Sequence, residues 1–405
     1  MVGSKTFCEF FAGIGLVWEA LKASGWDCVF SNDIDPKKKQ VFESHFGYSG
    51  HFHLGDVWET DEILSHIDGA PFLATASFPC TDLSLAGHWR GFAGKESSTY
   101  FGFLKVLDGM AEKKPSLVML ENVTGFLTSN GGTDFPRAVL ALAELGYWMD
   151  AFIVDARYFV PQSRPRLFVI GVHDRVRSPL LIKDTRGFFN STAWKDAMEE
   201  SGELRPPSLI RIIEKTELPT GWFTVPMKLP APIPHDLSEI IDQDDAQDWW
   251  DVDRTRNHYE MMHDYHRVRI DELVKSNATF IGTIYRRTRA GKVRAEIRFD
   301  GIAGCLRTTK GGSARQIVCV VKEKKLRMRW MTPREYARLQ GAGNYKLKGK
   351  SDNQNMFGLG DAVCVPVVEW IDRTVLTPIY ESSIITKEES QTLVAALPTG
   401  NSVRF

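Results

Sequence analysis

Phe10-Phe11-Ala12-Gly13-Ile14-Gly15-Leu16 closes a short apolar run (residues 6–11) and opens a helix-length one (residues 16–24). Two glycines at such a junction let the backbone approach a ligand closely. The rhythm continues outward from it. Residues 27–32, 51–54, 72–77, 116–121, 149–155 and 167–172 are short runs, most of them rich in β-branched or aromatic residues. Helix-length segments such as 37–46 and 101–113 separate most of them. This alternation predicts an α/β fold with a doubly wound, mostly parallel sheet covered by helices on both faces. Ligands in such sheets bind beyond the carboxyl ends of the strands, so the loops after these runs are where chemistry is expected.

The chain has 405 residues, enough for two or three domains. Its 43% hydrophobic and 25% charged content fits a globular protein with a sizeable core. A net charge of -1 excludes a globally basic coat but not a local basic face. No apolar run approaches the ~18 residues of a membrane span, and no secretory leader precedes the first strand. Six cysteines without a CxxC pair point to free thiols in a reducing cytoplasm.

The pattern changes near Asp174. Prolines cluster from Pro206 to Pro234, and residues 234–253 carry eight acidic residues and no Lys or Arg, read as a solvated face or helix ends. Residues 281–329 reverse the sign, with fourteen basic against three acidic residues. That asymmetry is an electrostatic footprint of phosphate binding. The glycine-bearing loops Arg289-Ala290-Gly291-Lys292 and Lys310-Gly311-Gly312-Ser313 suit close backbone approach. A helical pattern returns at Thr332-Pro333-Arg334-Glu335, with Thr332 as N-cap, and a loop is expected at Gly358-Leu359-Gly360-Asp361. The expected division is 1–173 catalytic, 174–329 smaller and irregular, 330–380 returning to the catalytic part, and 381–405 a helix or tail.

Several strand-end residues suit chemistry. The Gly-x-Gly at Gly13 and Gly15 fits a dehydrogenase as well as a methyltransferase. Trp18 stands where a third dinucleotide-binding glycine would fall, which favours a smaller nucleoside ligand. Asp33 and Asp56, each a turn or cap residue if taken alone, together at successive strand ends favour an adenosine site. Cys80, in Phe78-Pro79-Cys80, sits at the active edge as a candidate nucleophile. Cys8, Cys28, Cys319 and Cys364 read as buried hydrophobes. Glu121 follows the fifth run and can hydrogen-bond or protonate a substrate nitrogen. Arg164 and Arg166, two apart in extended backbone, can point the same way and bind carbonyl oxygen or phosphate.

These residues in this order resemble the C5-cytosine-specific DNA methyltransferase family of prokaryotic or phage restriction-modification type. The resemblance rests on Phe11-x-Gly13-x-Gly15, Phe78-Pro79-Cys80, Glu121-Asn122-Val123, Gln162-x-Arg164-x-Arg166, residues 332–341 and Gly360-Asp361-Ala362-Val363. It implies a Rossmann-like S-adenosylmethionine-dependent methyltransferase fold with a β-rich target-recognition domain at 174–329. It implies that duplex DNA is the substrate, that the target cytosine is flipped out, and that Cys80 adds to C6. Glu121 then engages N3, Arg166 holds O2 and Arg164 helps anchor the base. S-adenosyl-L-methionine supplies the methyl group and leaves as S-adenosyl-L-homocysteine. By the same resemblance Phe11 stacks on adenine, Asp33 holds the ribose, and Ile34, Asp56 and Val57 line the adenine pocket. Ala12, Gly13, Gly15, Pro79, Asp361 and Ala362 complete the expected cofactor site, without metal. Residues 81–98 resemble a mobile loop that closes over DNA.

The family pattern is broken at four places. Ser77 replaces glycine, Thr81 replaces glutamine, Asp361 replaces asparagine, and Cys305 replaces threonine in Gly301-Ile302-Ala303-Gly304-Cys305-Leu306, the segment expected to face the flipped nucleotide's phosphate. The expected DNA contacts are Ser84, Arg286, Arg287, Arg289, Cys305, Lys310 and Arg315. The expected setting is a monomer in a bacterial cytoplasm or nucleoid, without membrane contact, paired with a cognate restriction endonuclease or defence system. The alternatives are a tRNA cytosine-5 methyltransferase, a catalytically silent DNA-binding relative and a nicotinamide dehydrogenase.

Overall fold

A computed structural model describes residues 4–48, 50–79, 99–184, 192–231, 236–244, 246–289, 291–308, 314–349 and 351–383. Cys80, Ser84, the 81–98 loop, Lys310 with Gly311-Gly312-Ser313, and residues 384–405 lie outside the described residues, as does the side chain of Arg289.

The first seven strands are β1 (Thr6–Phe10), β2 (Asp27–Asp33), β3 (Phe52–Leu54), β4 (Leu73–Ala76), β5 (Leu117–Val123), β6 (Tyr147–Asp155) and β7 (Pro165–His173). They form one sheet in the order β3-β2-β1-β4-β5-β7-β6. The helices α1 (Leu16–Leu21), α2 (Pro36–Phe46), α3 (Thr60–Ser65), α4 (Thr99–Gly109) and α5 (Asp134–Glu144) lie between them. The order reverses between β1 and β4, which opens a crevice at the carboxyl edge. Two apolar clusters cover the sheet, one around Phe7, Phe152 and Phe168 and one around Phe10, Phe103 and Leu142.

β7 runs antiparallel to both β5 and β6. Its cause is chain length. Only residues 156–164 join β6 to β7, whereas a crossover back to a parallel strand needs about a dozen residues or more. The consequence reaches the site, because the start of β7 lies at the carboxyl edge of β5, with Val123 paired to Arg166. A parallel β7 would carry its arginines to the opposite edge.

Beyond His173 the chain first packs on the outer edge of this sheet. The short pair β8 (Ile182–Lys183) and β9 (Phe223–Thr224) lies there with α6 (Thr192–Glu200) and α7 (Pro207–Lys215). Leu209, Ile213 and Trp222 join the large-sheet core, and buried Arg205 pairs with buried Asp150 of β6 at 2.6 Å. A second sheet follows, with β10 (Phe280–Arg289), β11 (Lys292–Ile297), β12 (Ile317–Lys322) and β13 (Lys325–Trp330) in the order β11-β10-β12-β13. It is antiparallel throughout and lies in the segment expected to be β-rich. Central β12 is buried on both faces. Val318 and Val320 face the main core, while Ile317, Cys319 and Val321 pack with Met262 and Ile270 beside α8 (Val252–Glu260) and α9 (Asp264–Lys275). Asp236 and Asp251, from the acidic stretch, cap a short 3-10 turn and α8.

The chain then returns through α10 (Pro333–Leu339), α11 (Asp352–Asp361) and α12 (Val365–Ile371). Thr332 and Glu335 form the capping box that their spacing predicts. The loop expected at residues 358–361 is instead the last turn of α11. Its glycines fit there because Gly358 lies against Ile14, and a Cβ on Gly360 would strike the Arg307 carbonyl at 2.4 Å. Tyr345 donates its hydroxyl to the Ile14 carbonyl at 2.5 Å, and Trp26 donates to Asp372 at 2.8 Å. The late segment is thus part of the first core.

Glu335 also holds Arg329. The two are buried to 0% and 1% side-chain exposure and lie 2.6 Å apart. Arg329 donates further to the Asp242 and Trp330 carbonyls. Removing one partner of such a pair strands the other charge at a cost of about 3–5 kcal/mol. Glu335→Ala is therefore expected to lower the unfolding free energy by that order in denaturant melts, and a loss below about 1 kcal/mol would contradict this assignment.

Candidate active site

The loop after β1 sets the floor of the crevice. Phe11 and Gly13 adopt left-handed backbone, φ 54° and 59°. The Ala12 N–H donates to the Asn32 carbonyl at 2.8 Å. Gly15, at φ 78°, turns the chain into α1, and a Cβ there would meet the Phe42 ring at 2.6 Å. Asp33, at the end of β2, accepts from the N–H groups of Gly13 and Asp35, both at 2.9 Å. These bonds fix its carboxylate against the first loop.

The cavity over this floor has a volume of about 670 Å³. Phe11, Ala12, Gly13, Asp33, Ile34, Asp56, Val57, Pro79, Asp361 and Ala362 line it, and so do Glu121, Arg164 and Arg166. Gly15 shapes the loop beneath without lining the wall. Ile34 is 67% exposed, an unusual state for isoleucine, and offers an apolar wall. Asp56 accepts from the Trp58 N–H at 3.1 Å, while Val57 is buried. Asn122 donates to the Phe78 carbonyl at 3.1 Å, which ties the Pro79 approach to the end of β5.

The polar end holds Glu121, Arg164 and Arg166. Arg166 Nε lies 3.0 Å from Glu121 Oε1, with both side chains nearly buried. Arg164 is 2% exposed. It donates to the carbonyls of Leu306 at 3.0 Å and Ala362 at 2.7 Å. Its backbone N–H donates to Asp155 at 2.7 Å. Burial, and then the neighbouring Arg166, lower the Arg164 pKa. Cys305 lies under both arginines, its sulfur 3.4 Å from Arg164 and 3.6 Å from Arg166. Burial pushes that thiol up, but the two guanidinium charges outweigh it and hold the pKa below the ordinary value. The other described cysteines are buried and unpaired, and burial pushes Cys319 and Cys364 up to about 12.

The departure at Asp361 has a partner. Lys38 reaches Asp361 at 3.2 Å and Asp33 at 3.8 Å. The paired carboxylates raise the lysine's pKa against the opposing effect of its burial. Lys38 has no motif to mark it. Glu9 was also missed by the sequence reading, although a charged residue within an apolar strand was the available signal. It is 2% exposed, lines the cavity and leaves its Oε2 without a hydrogen bond. Burial raises its pKa to about 8.

A second cluster lies on the small sheet. The guanidinium carbons of Arg286 and Arg315 stand 5.0 and 5.3 Å from the Trp330 ring centre. Arg254, another residue without a sequence signal, lies 4.2 Å from the Trp250 ring and 5.7 Å from Trp330. Arg287 is not in this group. Successive strand residues point to opposite faces, and its side chain lies over Tyr285 at 4.6 Å. Arg315 adjoins Gln316, whose amide donates to the Cys305 carbonyl at 3.5 Å, so the cluster reaches toward the active edge.

The family model for C-5 cytosine-specific DNA methylase matches residues 5–376. Among curated proteins, type II methyltransferase M.BsuFI of Bacillus subtilis is 34% identical over 169 residues, 42% of this chain and 39% of that protein. Type II methyltransferase M.HhaI of Haemophilus parahaemolyticus is 31% identical over 167 residues, 40% of this chain and 48% of that protein. The matched region therefore spans less than half of either relative. The structure of DNMT2 from Spodoptera frugiperda superposes with a TM-score of 0.59 at 16% identity, covering 93% of this chain and 100% of that one. That likeness concerns the fold alone.

Glu9 makes stability depend on pH. Its carboxyl keeps its proton in the fold up to about pH 8, whereas an unfolded glutamate loses it near 4.5. Between those values the unfolded state binds fewer protons, so stability falls as pH rises, by about 1.4 kcal/mol per unit. Glu9→Gln removes this slope. The Tm difference between variant and parent is expected to grow in the variant's favour from pH 5 to pH 8.5, read by thermal melts without ligand. A constant difference would refute it.

Proposed function

Since the chain belongs to the C-5 cytosine-specific DNA methylase family, we propose that it methylates C5 of a cytosine flipped out of duplex DNA, with S-adenosyl-L-methionine as donor. The observation that carries this reading is the Glu121–Arg166 pair, with Arg164 behind it, at one end of a cavity whose other end is lined by Phe11, Asp33, Ile34 and Asp56. Base chemistry and nucleoside binding then share one crevice.

The cavity suits the donor. In this reading Asp33 accepts from ribose hydroxyls, Ile34 and Phe11 pack on adenine, and Asp56 accepts from its exocyclic amine; that all four line one cavity supports it. The donor supplies an electrophilic methyl group. The protein's residues do the rest. C5 of cytosine is a poor nucleophile until C6 is saturated, so Cys80 thiolate adds to C6. Glu121 hydrogen-bonds N3 and supports its protonation as negative charge spreads into the ring. Arg166, paired with Glu121, is assigned to O2, while Arg164 holds the loops that carry the site. Loss of the C5 proton and β-elimination return Cys80 and release 5-methylcytosine.

The segment 174–329 is assigned to target recognition. Its small sheet brings Arg286, Arg315 and Arg254 together around Trp330. Phosphate contact is the expected role for these residues. The type II names of the curated relatives support a restriction-modification or defence setting in a bacterial cytoplasm, with a cognate nuclease as partner. No described helix is long and apolar enough to cross a membrane.

The direct test uses methyl-labelled S-adenosylmethionine with duplex DNA, single-stranded DNA and tRNA, followed by bisulfite mapping. Label at C5 of cytosine in duplex DNA, abolished by Cys80→Ser, is expected. Label in tRNA alone would transfer the activity to RNA. Glu121→Gln is expected to lower kcat by about 10²–10⁴-fold with cofactor binding retained. Arg286→Ala and Arg315→Ala are each expected to reduce the salt slope of DNA binding by about one while leaving sequence preference intact.

A further inference from the structure

A cluster outside the catalytic residues has the chemistry of a metal site. His53 lies on β3, Glu59 just precedes α3 and Glu62 falls within it. His53 Nε2 and one carboxylate oxygen from each glutamate all lie within 4.8 Å of one another. Glu59 is the N-cap residue of α3 and Glu62 lies in its first turn.

The imidazole supplies an independent observation. The His53 side chain is only 8% exposed, and its Nε2 makes no hydrogen bond. The closest charged group, Glu62 Oε1, is 3.8 Å away, beyond hydrogen-bond reach. A buried nitrogen aimed at two carboxylates is an incomplete arrangement unless something lies between them. Space is kept there by Gly55, where an added Cβ would stand 2.4 Å from His53 Nε2 and 3.2 Å from Glu59 Oε2. The His66 ring lies 4.5 Å from His53 and packs against it.

We propose that His53, Glu59 and Glu62 bind one divalent transition-metal ion of the zinc type, clamping β3 to α3. One imidazole and two carboxylates suit Zn²⁺, whereas Mg²⁺ and Ca²⁺ favour all-oxygen sites. Bonds of about 2.0–2.2 Å require the carboxylates to close inward. Glu59 and Glu62 are exposed and have the freedom to do so. Three protein ligands leave the fourth position to water. This departs from the metal-free site that the family resemblance implies, and the ion has no part in the methyl transfer.

The clamp bears on the cofactor pocket through chain continuity. Residues 55–57 line the cavity and lie in the middle of the five residues that join His53 to Glu59. An ion joining the two ends of this short loop restrains Asp56 and Val57. That consequence rests on reading the cavity as the S-adenosylmethionine pocket, whereas the metal site does not.

The test is calorimetric titration of the chelator-stripped full chain with ZnCl₂, with MgCl₂ as comparison. One Zn²⁺ per chain is expected, with a raised Tm and no comparable Mg²⁺ binding. Glu62→Gln, at an exposed position with little risk to folding, should weaken Zn²⁺ by at least the ~10–100-fold that losing even an outer partner costs a metal site. His53→Gln should do the same. Co²⁺ in the site should show visible ligand-field bands without thiolate charge transfer, which separates it from binding at cysteines. Absence of stoichiometric binding, persistence of it in both variants, or a thiolate signature would overturn the proposal. S-adenosylhomocysteine titrations with and without Zn²⁺ test the clamp, and equal affinities would refute that consequence while leaving the metal readouts to stand separately.

Discussion

The buried guanidinium of Arg164 is the point on which the site depends. Its side chain reaches the Leu306 carbonyl from the middle of the chain and the Ala362 carbonyl near its end. Its backbone is held by Asp155. Three segments distant in sequence thus meet at one charge. Burying an arginine carries a desolvation cost of several kcal/mol, and the two terminal nitrogens of Arg164 offset part of it through these carbonyls while its Nε stays buried without a partner. The same residue gives the active edge a fixed positive field, felt by Cys305 below it.

Two of the departures from the family pattern have partners of their own. Cysteine is a poorer hydrogen-bond partner than threonine. At position 305 it lies against two guanidinium groups, where sulfur can accept from both. Asp361 adds a negative charge near the pocket, and Lys38 meets it while also approaching Asp33. Asp361 thus meets a cation, while Cys305 lies as an acceptor against two guanidinium groups. Glu9 differs, because its Oε2 has no hydrogen-bond partner and its burial favours the neutral form.

Much of the large sheet was legible because its signals are local. All seven strands fall within a few residues of the runs read from apolar and β-branched patterning. The capping box at Thr332 and Glu335 needs only residues three apart. The turn at Gly358-Leu359-Gly360-Asp361 was misread for a related reason. Glycines ordinarily mark loops, but here they let α11 pack closely on Ile14 and the Arg307 carbonyl. Packing overrode propensity. Lys38 and Arg254 escaped notice because a single charged residue on a helix has no pattern to distinguish it from a solvated one.

The sequence by itself determined the alternating fold, the order of the strand-end motifs and the types of residue available for chemistry, since all of these follow from periodicity and local spacing. Tertiary structure alone decided which of them meet. The nine residues between β6 and β7 force an antiparallel return, and that return sets Arg166 beside Glu121. The pairing of Arg286 and Arg315 over Trp330, without Arg287, follows from strand register and sheet packing. Distances of a few ångströms between groups separated by tens or hundreds of residues depend on how the elements pack, and no local pattern carries that information.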